Sequence, residues 1–466
     1  MQIYFNRVGA PTPGKWSSNS VVVQSKNKPC SFSARGGGGL GMSGRMRVLV
    51  QINSATLGGT QINALDLAAK VTEHGYESFL VAPRDTFKPR NSLLEVAKAR
   101  GMDIEPFDRP QSTLAGARTM RELTRRFNAN LVHVYGSWNQ RPAYWGPCLL
   151  GSRPLVMTNY EMKVNADTVG MGAELIIGTR YLLEDIRHRR GGVHLISPPV
   201  DLERDAPSAV DPTPFLASHG IRGDFPRVVI VSRLDEDLKA LGIDLAMQAC
   251  EQLTETNLQL IVVGCGDAEN RLRRLAEAIN VRAGRKLIHM IGAMADPRPA
   301  YACADVVIGM GGSAARSLAF GKALIVAGEF GWFKTFSAET HAELFRNSFW
   351  SDQVAPTPVA SLVEALRDLL SSPDTRLALG KYGRSFAEQN FGLKQMASKL
   401  AAIYHRALAN YGPLNWLSDI PLEAGFLGRR FTSRRGFRPL MLHTPPVART
   451  DEAPTAGTTE RHNRSG

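Results

Sequence analysis

The chain has 466 residues, 43% hydrophobic and 21% charged, with a net charge of +13. This is the mixture of a folded globular protein of about two to four domains, and it excludes a wholly disordered chain, a collagen and a coiled-coil rod. No apolar run approaches the ~20 residues of a membrane span, and residues 1–45 lack the apolar block of a secretory signal.

The charge is unevenly placed. Residues 1–45 carry six basic and no acidic residues, and 412–466 carry eight basic and five acidic ones, so most of the excess lies outside 46–411. A nucleic-acid domain would concentrate positive charge on its folded body, so nucleic acid is not an expected partner. The five cysteines, Cys30, Cys148, Cys250, Cys265 and Cys303, are far apart and odd in number. That spacing predicts a reduced, cytoplasmic protein without a structural zinc or a disulfide framework.

Residues 1–45 are rich in Ser, Gly, Asn and Pro and read as a disordered basic leader, with Met42 and Met46 both candidate starts. At Met46 the pattern changes. Residues 47–53 (RVLVQIN) form a short apolar strand, Gly58 and Gly59 a turn, 61–74 a helix, Gly75 a stop and 77–82 (ESFLVA) a second strand. Strand, glycine turn, helix and strand make the unit of a parallel sheet. The alternation continues with helices at 91–100, 116–127, 138–150 and 181–188, strands at 104–107, 131–135, 155–158 and 175–177, and then the segment HLISPPV (194–200). Residues 204–226 hold four prolines and little periodicity, and read as a linker.

A second series follows. Strands are expected at 227–231, 258–263, 287–290, 306–308 and 323–327, and helices at 241–253, 268–279, 314–320, 359–371, 374–389 and 394–410. The expected architecture is α/β, with two doubly wound parallel-sheet domains facing across a cleft where the strands' C-terminal ends meet. The boundaries are a leader 1–45, an N-terminal domain 46–204, a linker 205–226, a C-terminal domain 227–393, a helix 394–411 packing back on the first domain, and a flexible basic tail 412–466.

Four turns are candidate anion sites. Gly58 and Gly59 sit where the first strand meets the first helix, and either form a plain turn or let backbone N–H groups approach a phosphate. No Gly-x-Gly-x-x-Gly follows that strand, against a nicotinamide or flavin dinucleotide. Arg233 and Lys239, six apart after strand 227–231, either converge on a diphosphate or are solvated surface charge. The turn GMGGSA (309–314) brings Gly311, Gly312 and Ser313 to a helix start, with Ser313 as helix cap, ligand donor or both. The turn GCGD (264–267) is a weaker version, and reads equally as a plain turn. His133, ending strand 131–135, is either structural or a cleft residue. Glu329, Trp332 and Phe333 follow strand 323–327 and suit a sugar or base, or a core. The segment FLGRRFTSRRGFR (426–438) interleaves aromatic and basic residues and is either solvated or in contact with anionic lipid or glycan.

Taken together, these segments resemble the retaining glycosyltransferases of glycosyltransferase family 4 over about residues 46–411. AELIIGTRYLLEDI (173–186) and ISPPVDLE (196–203) resemble the stretches before the family's linker, the latter its IPNGVDLE segment. VSRLDEDLKALGIDLAMQA (231–249) resembles its GRL…KG motif, IVVGCGD (261–267) its IVGDGP, and ADVVIGMGGSAARSLAFGKALIV (304–326) the region ending in EAMACGKPVI. The resemblance implies the GT-B fold and sugar transfer from a nucleotide-sugar with retention. It places diphosphate binding on Arg233 and Lys239, supported by Gly58, Gly59, Gly311, Gly312 and Ser313, with no cofactor and no metal.

Two departures stand out. The family's ribose-reading Glu falls on Arg316, and its preceding Glu has no counterpart. A His common on the acceptor side is missing from LVMTNY (155–160), leaving His133 and Tyr160 as acceptor-side candidates. Arg316 cannot accept a hydrogen bond, so either it turns to a phosphate or an acidic sugar, or another carboxylate, Glu329, reads the ribose or sugar. The alternatives are a catalytically inactive GT-B protein that binds nucleotide or glycan as a partner subunit, and a GT-B epimerase or phosphorylase. The base, sugar and acceptor are not readable from these motifs. The tail adds an expected contact with a membrane surface.

Overall fold

The computed structural model describes residues 45–432 except 85–91, 162–163, 165–171, 187–191, 254–255 and 413. The leader 1–44 and residues 433–466, both read from sequence as disordered or flexible, lie outside the described residues.

The first half is built on seven strands: β1 (Met46–Gln51), β2 (Tyr76–Pro83), β3 (Ile104–Phe107), β4 (Leu131–Tyr135), β5 (Leu155–Asn159), β6 (Glu174–Ile177) and β7 (Val193–Leu195). All pair in parallel, in the order β3-β2-β1-β4-β5-β6-β7. Parallel crossovers put helices on both faces, so the strands are apolar on both sides, and Val48, Leu49 and Val50 are buried alike. The helices are α1 (Gly59–Lys70), α2 (Leu93–Ala99), α3 (Thr113–Arg126), α4 (Gln140–Ala143) and α5 (Arg180–Ile186). At Tyr144–Leu150, α4 widens into a turn of larger pitch containing Pro147, whose missing N–H removes an ordinary helical bond.

The second half carries β8 (Arg227–Val231), β9 (Gln259–Val263), β10 (Ile288–Gly292), β11 (Val306–Gly309), β12 (Ala323–Ala327) and β13 (Phe333–Thr335), in the order β10-β9-β8-β11-β12-β13. Only β13 is antiparallel. Its helices are α6 (Thr213–His219), α7 (Ala240–Gln252), α8 (Glu269–Ala283), α9 (Arg298–Cys303), α10 (Gly312–Ala319), α11 (His341–Arg346), α12 (Pro358–Ser371) and α13 (Pro373–Asn390). The sheets are separate, and each is doubly wound.

Two segments differ from the sequence reading. The proline-rich stretch 205–226 holds α6, whose Phe215 packs with Ile221 against Val229 and Ile261 in the second half's core. Pro214 lies in the first turn of α6, where a missing N–H costs nothing. The tail read as flexible from 412 instead forms a short turn at Asn415–Asp419 and then a helix, as described below. Between them α14 (Leu393–Asn410) returns to the first half, and its Met396, Leu400 and Tyr404 join the core with Val48, Leu65 and Tyr76. Each fully buried aliphatic side chain there contributes about 1.5–3 kcal/mol. The last helix is α15 (Ile420–Thr432).

Candidate functional site

Neighbouring strands β8 and β11 send their connections to opposite sides of the second sheet. At such a switch point the strand ends leave a crevice. Here it is lined by Ser232, Lys239, Met310, Ser313 and Gly328 among others.

Lys239 is the charge inside it. It caps the start of α7, and its Nζ donates to Met310 Sδ at 2.6 Å. A thioether is a weak acceptor for an ammonium group. Burial pushes the Lys239 pKa down to about 8; Asp235 opposes the shift, Arg233 adds to it and Glu329 opposes it. The amine is therefore a desolvated cation in want of an anion.

Beside it α10 begins. Gly311, its N-cap, has φ +59, a left-handed conformation that glycine adopts without steric cost. No acidic side chain lies in the first turn and none caps it, so the leading N–H groups from Gly312 onward have no helical partner. Ser313 stands inside the helix, not at its cap. Its hydroxyl accepts the Met310 N–H at 3.1 Å and donates to the Met310 carbonyl at 3.2 Å, closing the turn. Lys239 and the start of α10 together form a site for phosphate oxygens.

Arg233 lies at the rim. It is exposed and paired with Asp235 at 3.0 Å, so it stands by the crevice without lining it. The GCGD turn takes the structural one of its two readings. A Cβ on Gly264 would lie 1.7 Å from the Ser232 carbonyl oxygen, and one on Gly266 2.2 Å from that of Leu234. Asp267 accepts the Glu236 N–H at 3.0 Å. These residues press backbone against backbone and brace the loop from Ser232 to Lys239.

In the first half, Gly58 and Gly59 open α1, again with no side-chain cap and no acid in the first turn. They do not line the Lys239 crevice. His133, a candidate acceptor-side residue, is instead sealed in the core. Its Nδ1 meets the Tyr404 hydroxyl and its Nε2 the Thr158 hydroxyl, each at 2.7 Å. Burial lowers its pKa to about 3, so it is neutral. It is sealed because β4 is a central strand and α14 covers it. The Tyr160 hydroxyl is buried without a partner among the described residues, and burial raises its pKa.

Arg316 points out of the crevice. Its Nε donates to Asp205 Oδ2 at 2.8 Å, and it lines a second, smaller hollow with Asp66, Arg100, Asp296 and Arg298. Burial works against its charge, but Asp205, Tyr301 and Asp66 more than offset this and raise its pKa. The guanidinium is thus occupied by a protein carboxylate. Glu329, after β12, is half-buried, accepts the Trp350 Nε1–H at 2.6 Å and lies close enough to act on Lys239. Trp332 and Phe333 pack against the cores instead of facing the crevice, while Phe330 is the exposed aromatic. Met310 and Ser232 lie within the two motifs read from sequence but were not singled out there, and Trp350, which holds Glu329, carried no motif by which to find it.

Two parallel doubly wound sheets joined by a returning C-terminal helix define the GT-B fold. Residues 213–386, which hold the crevice, match the family model described as glycosyl transferases group 1. No curated protein matches the chain. Among solved structures it is similar to a glycosyltransferase from Rickettsia africae ESF-5, at 14% identity and a TM-score of 0.62 over 78% of this chain and 99% of that one. It is similar to Anabaena Alr3699/HepE in complex with UDP and glucose, at 15% identity and a TM-score of 0.58 over 77% and 98%. It is also similar to a Listeria monocytogenes protein assigned as a UDP-N-acetylglucosamine 2-epimerase, at 14% identity and a TM-score of 0.54 over 77% and 95%. Identities this low bear on the fold alone.

Proposed function

We propose that the chain is a retaining glycosyltransferase that moves a sugar from a nucleotide-sugar to an acceptor. The observation that carries this reading is the desolvated Lys239 facing the uncapped start of α10, within the segment that matches the glycosyl transferase family. A leaving diphosphate gains charge in the transition state. A buried cation and preorganised N–H groups stabilise that charge more than they stabilise the bound donor, which is electrostatic catalysis.

In this reading Lys239 and Arg233 neutralise the diphosphate, Arg233 exchanging Asp235 for it. Backbone donors come from Gly311, Gly312 and Ser313, and from Gly58 and Gly59 across the cleft. Arg316, held by Asp205, takes no part. Glu329 supplies the carboxylate that accepts sugar or ribose hydroxyls in place of the family's glutamate. The chain acts in the cytoplasm, and its basic C-terminal tail meets anionic lipid.

The test is a thermal-shift screen with UDP, GDP, ADP and their hexosides, followed by turnover assays with any donor that binds. Saturation at 100 times the dissociation constant stabilises by about 2.7 kcal/mol. Stabilisation by one nucleotide that is lost in Lys239→Ala supports the site. Binding without hydrolysis or transfer supports the inactive partner-subunit reading, and inversion at the donor's C2 supports an epimerase.

A further inference from the structure

The tail helix α15 is inverted in its amphipathicity. Its acidic neighbours point into the protein. Asp419, buried, accepts the Tyr144 hydroxyl and the Gly172 N–H. Glu423 accepts Arg141 at 2.9 Å and the Trp145 Nε1–H at 2.7 Å. Phe426 lies 3.5 Å beneath the Arg141 guanidinium. Positions 419, 423 and 426 share one helical face, and that face is docked on α4 and the wide turn after it.

A neighbouring face, about a third of a turn round the helix, is apolar and open. Leu417, Ile420, Ala424 and Leu427 recur at helical spacing and are exposed, and Leu414 and Trp416 precede them. The large side chains among these are 39% to 68% exposed. A helix held to its protein by carboxylates, with its leucines outward, needs a second surface to cover it.

Charge says which surface. Both acids of 414–432 are consumed inward, and 424–450 contains six arginines and no acid. On α3, Arg118, Arg121, Arg125 and Arg126 line a hollow together with Glu122, and Arg126 is paired with Glu105. That helix packs on the same wide turn, where Ala117 O leaves no room for a Cβ at Gly146. A second copy would bring arginine to arginine, whereas a bilayer with anionic headgroups meets both the exposed apolar side chains and the arginines that follow them in sequence. Trp416 has the amphipathic ring favoured at that depth. No helix among the described residues is long and apolar enough to cross a membrane.

We infer that the outward face of Asn415–Asp419 and α15, led by Leu417, Ile420 and Leu427, lies in the headgroup region of an anionic membrane. This gives the tail's proposed lipid contact its docking element, and it does not rest on the donor-site reading, since vesicle binding and nucleotide binding are measured separately.

The experiment is co-sedimentation of the full chain with phosphatidylcholine vesicles, with and without phosphatidylglycerol. The expected result is binding that requires phosphatidylglycerol, weakens with salt, and falls about tenfold or more in Leu417→Gln/Ile420→Gln/Leu427→Gln, each change removing apolar area from the interface. Should the triple variant fail to fold, Leu427→Gln alone is expected to lower binding about threefold. Equal binding to both vesicle types, no binding by the full chain, or binding indifferent to these substitutions overturns the inference. So does a dimer in solution that the substitutions abolish.

Discussion

Lys239 makes nucleotide affinity depend on pH in a direction that can be worked out. In the free protein burial holds its pKa at about 8, against an ordinary value of 10.5. A diphosphate beside Nζ restores a partner and raises that pKa, so binding above pH 8 must draw a proton from solvent. Between pH 7 and pH 9 the charged fraction of free Lys239 falls about tenfold, and the association constant for the nucleotide falls by the same factor, about 1.4 kcal/mol. The assay is calorimetric titration at pH 8 in two buffers of different ionisation enthalpy, which should show about half a proton taken up per nucleotide. Lys239→Met should bind more weakly at pH 7 and lose the pH dependence. Stability runs the other way. The unfolded chain binds more protons than the folded one between about pH 8 and 10.5, so the Lys239 contribution to stability rises with pH across that window. Affinity that is flat from pH 7 to 9, with no proton uptake, would refute the placement of Lys239 against the phosphates.

Other perturbations have equally definite outcomes. Arg316→Ala strands the buried Asp205 carboxylate and should cost about 3 kcal/mol in denaturant unfolding, the low end for a broken buried pair because Arg298 stands nearby. It should leave nucleotide affinity unchanged, and a strong loss of affinity would return Arg316 to the donor site. Gly266→Ala drives a Cβ to 2.2 Å from the Leu234 carbonyl oxygen, so it should lower both stability and nucleotide affinity. Gly59→Ala, with no atom within 4 Å of the new Cβ, should change stability by less than about 1 kcal/mol. Glu423→Ala removes the acceptor shared by Arg141 and Trp145. Amide exchange across 415–432 should then quicken while the sheet amides keep their protection; unchanged exchange would show that Glu423 does not hold α15 in place.

The strands were legible because both faces of a parallel sheet are buried, which writes continuous apolar runs such as RVLVQIN and ALIVA. The Lys239 crevice was legible as a motif, since glycine turns and a lysine at strand ends leave a local trace. What escaped depended on partners remote in sequence. The partners of α15, Arg141 and Trp145, lie some 280 residues away, and nothing within 412–432 announces them. His133 reads as either structural or a cleft residue, and only Tyr404 closing over it from α14 decides between them. Arg316 reads as a missing carboxylate, and only the fold brings Asp205 to it. The glycines of 264–267 pattern like a phosphate loop, yet their cause is the close approach of the next loop's carbonyls. Helix α6 was hidden by prolines that a helix start tolerates.

The most direct test of the account is nucleotide binding at the β8–β11 crevice, measured by thermal shift and calorimetry with UDP, GDP and ADP on the full chain and on Lys239→Ala. The account predicts that one nucleoside diphosphate binds the full chain and that the variant, still folded, binds it at least about tenfold more weakly, the loss of one charge-assisted contact. Binding by none of the three, or equal binding by chain and variant, would contradict it.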